Sequence, residues 1–552
     1  MSLTEGGARQ PAGYGANFLG LQTSSYNELQ VHDNPGNRLC YESLQSMSLV
    51  LCVIYFSVLL SLSAYGLHRL HLVLLCKRHE KRLQEFVESA PYASGNDLLP
   101  TVTIQLPLFN ESTVSARLLE SVAKIDYPAD KLEIQVLDDS TDETQAQVRA
   151  HVGRLRERGI DAVYQHRVDR TGYKAGALEK GLDTAKGSLV AIFDADFIPQ
   201  PHFLRAIVGH FADPKVGMVQ TRWGHINREH SLLTKVQALM LDGHHLVENR
   251  ARFGAGLLFN FSGTGGMWRR EAIRDAGGWQ HDTLTEDLDL SYRAQMKGWK
   301  FVYRPDVVSP SELPEDVSAV RAQQYRWAKG TVQTARKLLK VVLSSDVTRS
   351  QKIEAAFHMT PHFAYPLLVL LSILLLPALA LLPAASNSTM LLIDLPLLTA
   401  TSGSLAAFYM EAERAQGRSR LGALIRLPMI IAIGTGLAPH LTKAVWDGYR
   451  TMAGEFVRTP KQGTDKARYR ARADLPMMEV LLALWSFAAV VTSIQTGHWF
   501  ATPFAALFML GYGYVAVLVA TEQASRRRDR APTSMDSLAP PEPVEQQRDL
   551  AA

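Results

Sequence analysis

Cysteine is scarce in this 552-residue chain. The three present, Cys40, Cys52 and Cys76, fall in or around one apolar run, so no disulfide framework is implied. An excess of one charge is also missing: 58 Lys and Arg stand against 54 Asp and Glu, a net +4. That small surplus is explained by basic runs flanking apolar stretches, which excludes a nucleic-acid surface. No internal repeat is found. No Cys or further His lies at ligand spacing from His244 and His245, so the pair reads as packed or hydrogen-bonded helical histidines and not as a zinc site. No small-residue cleavage pattern follows the first apolar run, which also starts too late for a signal peptide.

What the chain has in quantity is long apolar runs. Residues 47–67, MSLVLCVIYFSVLLSLSAYGL, form an uncharged run long enough to cross a bilayer. HRLHLVLLCKRHEKR follows, so by the positive-inside rule the C-terminal end of this span faces the cytoplasm. Residues 1–46 are then extracytoplasmic and the region 98–345 is cytosolic. Further apolar stretches lie at 359–382, 389–410, 421–442, 475–497 and 499–520. If all five crossed, RRRDR at 526–530 would end outside, against the charge rule. The stretch 421–442 carries Arg426, Pro428 and three glycines between two highly charged flanks, so it reads as an interfacial or re-entrant helix. Five spans remain, and residues 531–552, with APPEP, read as a disordered tail. AKGTVQTARKLLKVVL, 328–343, places basic residues between apolar ones at helical spacing and reads as a helix on the membrane surface.

The second abundant feature is an ordered series of carboxylates: VLDDS (Asp138, Asp139), IFDAD (Asp194, Asp196) and TED (Asp287), followed by QQYRW at 323–327. The runs VTIQLPLF (102–109), LEIQVL (132–137) and SLVAIF (188–193) are apolar and rich in β-branched residues. With helical segments between them they predict βαβ units and a parallel sheet. Ligands of such sheets bind outside the carboxyl ends of the strands, where these acids and the pair Asn110 and Glu111 collect. Asp194 and Asp196, two apart, can face one hard cation, Mg²⁺ or Mn²⁺. Such an ion takes one or two carboxylates plus substrate phosphates and neutralises a departing diphosphate. Taken singly, each piece has a plainer reading. Asp138 and Asp139 can cap the helix DETQAQVRAHV, Asp287 can be an N-terminal acid favoured by a helix dipole, and QQYRW can be polar surface around a packed Trp.

Taken together, these residues resemble the processive, inverting members of glycosyltransferase family 2, the cellulose, hyaluronan and cellulose-synthase-like glucan and mannan synthases. The similarity runs from roughly Pro107 to Gly463 through LPLFNE, DDS, GYKAGAL (172–178), DAD, QTRW (220–223), FSGTGG (261–266), TED, QQYRW and FVRTPKQG (456–463). It implies a Rossmann-like α/β domain of the GT-A class inserted between transmembrane helices. It also implies roles. Asp138 and Asp139 contact the nucleoside, Lys174 lies near the phosphates, Asp194 and Asp196 hold the metal, and Asp287 is the general base. Gln323, Gln324, Arg326 and Trp327 hold the diphosphate and the acceptor end of the glycan. FVRTPKQG resembles a gating loop, with Thr459 and Lys461 at the donor site, although this chain has Arg458 where the family has valine.

The chemistry explains the residue types. A sugar hydroxyl is a poor nucleophile, so a carboxylate must take its proton as the new bond forms. One base opposite the leaving diphosphate gives a single displacement with inversion, hence a β-linkage from an α-linked donor. Metal, Arg326 and Lys174 would stabilise the leaving charge. Trp327 offers a flat apolar face to a pyranose ring, and Trp223 a second one. The expected activity is extension and export of a β-linked glycan by an integral membrane enzyme of the cell inner membrane or the Golgi. The expected donor is UDP-glucose first and GDP-mannose second, the acceptor is the growing glycan, and transfer of one sugar to a lipid is the alternative.

Overall fold

The computed structural model describes residues 35–96, 99–381, 396–397, 399–454 and 476–530, without side chains at 35–45 and 526–530. The chain divides into two units, Met1–Val53 and Ile54–Ala552. In the first, the described part is the opening of the helix Pro35–Arg78, where Leu49, Val50 and Val53 are exposed apolar side chains.

The second unit is built on a seven-stranded sheet of order β3-β2-β1-β4-β6-β5-β7. The strands are β1 (Val102–Leu108), β2 (Leu132–Asp138), β3 (Ala162–His166), β4 (Leu189–Ile192), β5 (Val216–His225), β6 (Gly266–Arg269) and β7 (Lys300–Ser311). The three runs expected as strands therefore form β1, β2 and β4. Alternation sorts their side chains: Ile104, Leu106, Ile134, Val136, Leu189 and Ala191 join the core under Leu118, Val148 and Phe203, while Val190 and Ile192 join the core on the other face with Leu178, Trp268 and Leu290. Pro107 is tolerated near the end of β1 because β4 pairs only with Val102 to Gln105 and has ended before it.

The sheet is mixed and not wholly parallel. β3, β2, β1 and β4 run parallel, as do β5 and β7, but β6 is antiparallel to both neighbours. The reversal is made by FSGTGG, whose Gly263 and Gly265 have φ of 81° and 63°, a region open to glycine at little cost. As a result the carboxyl ends of β1, β2, β4 and β5 and the amino end of β6 share one edge.

Among the described residues, five helices are long and apolar enough to cross a membrane: Ser46–Arg78, Pro361–Leu381, Arg420–Arg450, Met477–Gln495 and Thr502–Ser525. Four of them coincide with stretches expected to cross, 47–67, 359–382, 475–497 and 499–520, and the fifth contains 421–442. The stretch 421–442 lies in one unbroken helix, Arg420–Arg450, with Pro428 and Pro439 inside it. One of its three glycines, Gly436, packs at a helix crossing: a Cβ there would collide with the Gly511 carbonyl oxygen, and one on Gly511 would sit 2.7 Å from the Ala432 carbonyl oxygen, whereas Gly434 has open space around it. Of the stretch 389–410, the described part is a π-helical turn, Thr399–Gly403, and the start of the helix Ser404–Arg414, whose Glu411 and Glu413 are buried in ion pairs with Arg414 and Arg228. The remainder of that stretch, 389–395 and 398, lies outside the described residues.

The segment 328–343 belongs to the helix Val317–Ser344, which contains QQYRW as well. Its apolar stripe is covered by protein, since Ala335, Leu338 and Val342 pack with Leu258, Leu288, Tyr292 and Met359. Part of the amphipathic pattern therefore faces the α/β domain, while Val341 and Leu343 stay exposed. His244 and His245 do lie in helical structure, the π-helix His244–Asn249, with His244 Nδ1 3.0 Å from Glu248 and His245 buried.

Candidate active site

At the shared edge the strand ends, the FSGTGG turn, TED and the QQYRW helix surround a cavity of about 180 Å³. Asp139, Lys174, Asp194, Asp196, Asp287, Gln323, Arg326 and Trp327 all line it. Residues more than 180 positions apart are thus brought into one site by the sheet edge and one helix. Asp138 and Gln324 are not in the lining, and Thr459 and Lys461 lie outside the described residues.

Asp138 is the last residue of β2 and fully buried. Its Oδ1 accepts the Ser140 N–H at 2.9 Å and its Oδ2 the Tyr164 hydroxyl at 2.7 Å. It shapes the turn and does not face the cavity. Asp139 does, but it is engaged by Arg167, whose Nε and Nη2 donate to the two carboxylate oxygens at 2.8 and 2.5 Å.

Lys174 enters from the first turn of the helix Tyr173–Thr184 and donates to Asp194 at 2.6 Å and to the Gly263 carbonyl at 3.0 Å. Burial alone would lower its pKa, but Asp194, Glu286 and Asp287 together hold it above the usual lysine value. The Asp194 backbone N–H donates to Thr264 Oγ1 at 2.9 Å, tying the DAD turn to FSGTGG.

Asp287 stands in the first turn of the helix Glu286–Met296. Burial and the adjacent Glu286 carboxylate push its pKa up to about 7, against the lowering effect of the Leu288 N–H and Lys174. Its Oδ1 accepts that N–H at 2.8 Å. Its Oδ2 would be 3.1 Å from a Cβ placed on Gly263, so the bare glycine leaves the space beside the carboxylate open.

Gln323, Arg326 and Trp327 fall at i, i+3 and i+4 on one face of their helix. Gln324 is rotated out of the lining, and Tyr325 reaches the other way to donate its hydroxyl to Asp447 of Arg420–Arg450. Burial lowers the Arg326 pKa, while Glu286, Asp194, Asp287 and Asp196 act in the opposite sense. Trp223 also lines the cavity, edge-on to Phe197 at 5.4 Å between ring centroids.

The lining is rich in negative charge: with Asp139 paired to Arg167 and Glu312 to Arg117, the acids Glu111, Asp194, Asp196, Glu286 and Asp287 share the lining with Arg170, Lys174 and Arg326. A diphosphate entering here needs a further cation. Asp194 and Asp196 are two hard oxygen donors of the kind that Mg²⁺ or Mn²⁺ could take beside phosphates and water. No cluster of three or more His, Cys, Asp or Glu forms a fuller cage among the described residues. Both residues therefore fit such an ion.

Glu286, Gly263 and Arg170 belong to the site without having been assigned a part from the sequence. The adjacency of Glu286 to Asp287 was a signal of a raised pKa. Nothing local announced that Arg170 stacks on Phe109, with its guanidinium carbon 3.3 Å from the ring centroid.

A largely parallel sheet with an acid-lined cavity at its carboxyl edge, accompanied by apolar helices, defines a GT-A glycosyltransferase domain. The family model described as "Glycosyltransferase like family 2" matches residues 100–330. Glucomannan 4-beta-mannosyltransferase 1 of Oryza sativa subsp. japonica is 41% identical over 270 residues, covering 48% of this chain and 52% of that protein. Its namesake from Cyamopsis tetragonoloba is 31% identical over 449 residues, covering 76% and 83%. This chain belongs to glycosyltransferase family 2, with cellulose-synthase-like glucomannan mannosyltransferases among its homologues. The match spans about half the length of the rice relative, 52%. A Pyrobaculum calidifontis mannosyltransferase solved with GDP-Man and Mn²⁺ is 24% identical, covers 67% of this chain and 97% of its own, and gives a TM-score of 0.44, too low to bear on ligand or mechanism.

Proposed function

We propose that the protein is a membrane-embedded inverting glycosyltransferase that adds mannosyl units to a growing β-linked glycan, with GDP-mannose as donor. The observation that carries this reading is the meeting of Asp287, Lys174, the Asp194/Asp196 pair and the Gln323/Arg326/Trp327 face in one cavity. The mannosyltransferase names of the relatives reverse the order of donors expected from the sequence, and UDP-glucose becomes the second choice.

Asp287 takes the proton of the acceptor hydroxyl at Oδ2, since Oδ1 is held by its own helix. A base whose pKa is about 7 is matched to that task near neutral pH. Lys174 and Arg326 hold the diphosphate, and Trp327 supports the acceptor ring, with Trp223 nearby. Asp194 and Asp196 would hold Mg²⁺ or Mn²⁺, which supplies charge neutralisation for the leaving diphosphate when bound. The catalytic domain faces the cytosol, and the helices around it pass the product across the bilayer. Purified full-length protein in detergent, given GDP-mannose or UDP-glucose with Mn²⁺ or Mg²⁺, should form a β-linked mannan identified by linkage analysis. Glucan alone would overturn the donor, and a single sugar on lipid would overturn polymerisation.

A further inference from the structure

We propose that Arg167 is a positioning residue that sets the distance between the nucleoside end and the diphosphate end of the donor site. The inference rests on reading the cavity as a sugar-nucleotide site. Arg167 directly follows β3, and its backbone N–H donates to the Asp138 carbonyl at 3.0 Å. Its side chain is only 10% exposed. Besides the two bonds to Asp139, Nη2 donates to the Tyr173 carbonyl at 2.8 Å and Nη1 to the Thr171 carbonyl at 3.4 Å. One guanidinium therefore ties the end of β2 to the loop that delivers Lys174.

That loop has an unusual shape to hold. Gly172 and Tyr173 both lie in the left-handed region, with φ of 75° and 48°, and Tyr173 has a Cβ that makes the conformation costly. A Cβ on Gly176 would come 2.2 Å from the Thr171 carbonyl oxygen and 3.0 Å from Arg167 Nη1, so the glycine of KAGAL admits the loop against its helix. Lys174, the next residue after Tyr173, then reaches Asp194. A connected path runs from Asp139 through Arg167, Tyr173 and Lys174 to the proposed metal ligands.

Charge gives an independent reason. Asp139 is 4% exposed in a lining already crowded with carboxylates. Paired with Arg167 it no longer opposes a diphosphate, yet each oxygen keeps a lone pair for neutral donors such as ribose hydroxyls. Lysine in place of Arg167 would keep the charge and lose the fork that makes both bonds at once.

The test uses full-length protein in detergent: the parent, Arg167→Lys, Asp139→Asn and the double variant, titrated calorimetrically with GDP and with UDP in Mn²⁺. Arg167→Lys should weaken binding of the preferred nucleotide about tenfold, the size of one lost charge-assisted bond. Its donor KM should rise by a similar factor and by more than kcat falls, with little change in melting temperature. Because the tie needs both Arg167 and Asp139, the double variant should bind more weakly than Asp139→Asn by less than the full Arg167→Lys factor. Parent-like binding in Arg167→Lys, or multiplied losses in the double variant, would overturn the inference while leaving the donor site standing. A parent that binds neither nucleotide would overturn both. A lowered melting temperature with unchanged affinity would make Arg167 a structural residue only.

Discussion

Two acidic turns of the same sheet edge have opposite fates. At the end of β2, Asp138 and Asp139 are buried with partners, the first holding Ser140 and Tyr164 and the second Arg167. Beyond β4 and at TED, Asp194, Asp196, Glu286 and Asp287 are gathered around one cavity with Lys174 and Arg326 as the nearby cations. Burial with matching donors ties Asp138 to structure and neutralises Asp139, whereas burial beside another carboxylate raises the proton affinity of Asp287. The Asp287 pKa of about 7 is the direct consequence.

The strongest way to break this contrast is Asp287→Asn. Transfer should fall about 10³-fold, within the range for losing a general base, while nucleotide binding by calorimetry stays near that of the parent. Normal turnover would remove Asp287 from the chemistry. In the parent, kcat/KM should rise with pH up to about pH 7, and this limb should vanish from the residual rate of the variant. Stability carries the opposite sign. The folded pKa lies above the ordinary 3.8, so between about pH 4 and 7 the folded state binds a proton that the unfolded state has released, and stability falls as pH rises through that window. Asp287→Asn should therefore melt higher than the parent above pH 7 and equally at pH 4.

Gly263→Ala places a methyl beside Asp287 Oδ2 in a backbone region that alanine avoids. A loss of roughly tenfold to a hundredfold in kcat is expected from about 1–3 kcal/mol of strain and crowding. Unchanged kcat would show that the space next to Asp287 is not used.

The two turns can be separated by a matched pair. Asp138→Ala should cost about 2 kcal/mol in denaturant unfolding, because a buried hydroxyl and N–H lose their acceptor. Asp194→Ala should change stability much less and abolish the metal dependence of donor affinity. Exchange of these two phenotypes would refute the division into structural and open carboxylates. The smallest effect concerns QQYRW: Gln323→Ala should cost about 1 kcal/mol, near fivefold, in activity, and Gln324→Ala less than that. Equal losses would mean that Gln324 reaches the substrate by a route other than the cavity lining.

Much of this arrangement was legible in the chain. The apolar, β-branched-rich runs VTIQLPLF and LEIQVL located β1 and β2, and the position of the acids after apolar runs placed them at the strand ends. The i, i+3, i+4 spacing in QQYRW already separated Gln323, Arg326 and Trp327 from Gln324, although the motif was read as a block. Helix 420–450 is unbroken where its glycines and prolines had suggested an interruption, because these residues have two meanings. In water they interrupt a helix, whereas at a helix crossing a glycine such as Gly436 lets two backbones meet. The stripe of 328–343 likewise specified an amphipathic helix but not what would cover it.

The sequence by itself determined which residue types exist in which order: apolar runs of spanning length, strands ending in acids, and a helix bearing Gln323, Arg326 and Trp327 on one face. These follow from local periodicity and from the burial cost that fixes it. Only the tertiary structure decided which acids are paired with cations and donors and which has its proton affinity raised. That depends on what Arg167, Tyr164, Lys174 and Glu286 approach across the sheet edge, and a pKa is set by neighbours in space and by burial, neither of which is written in the order of residues.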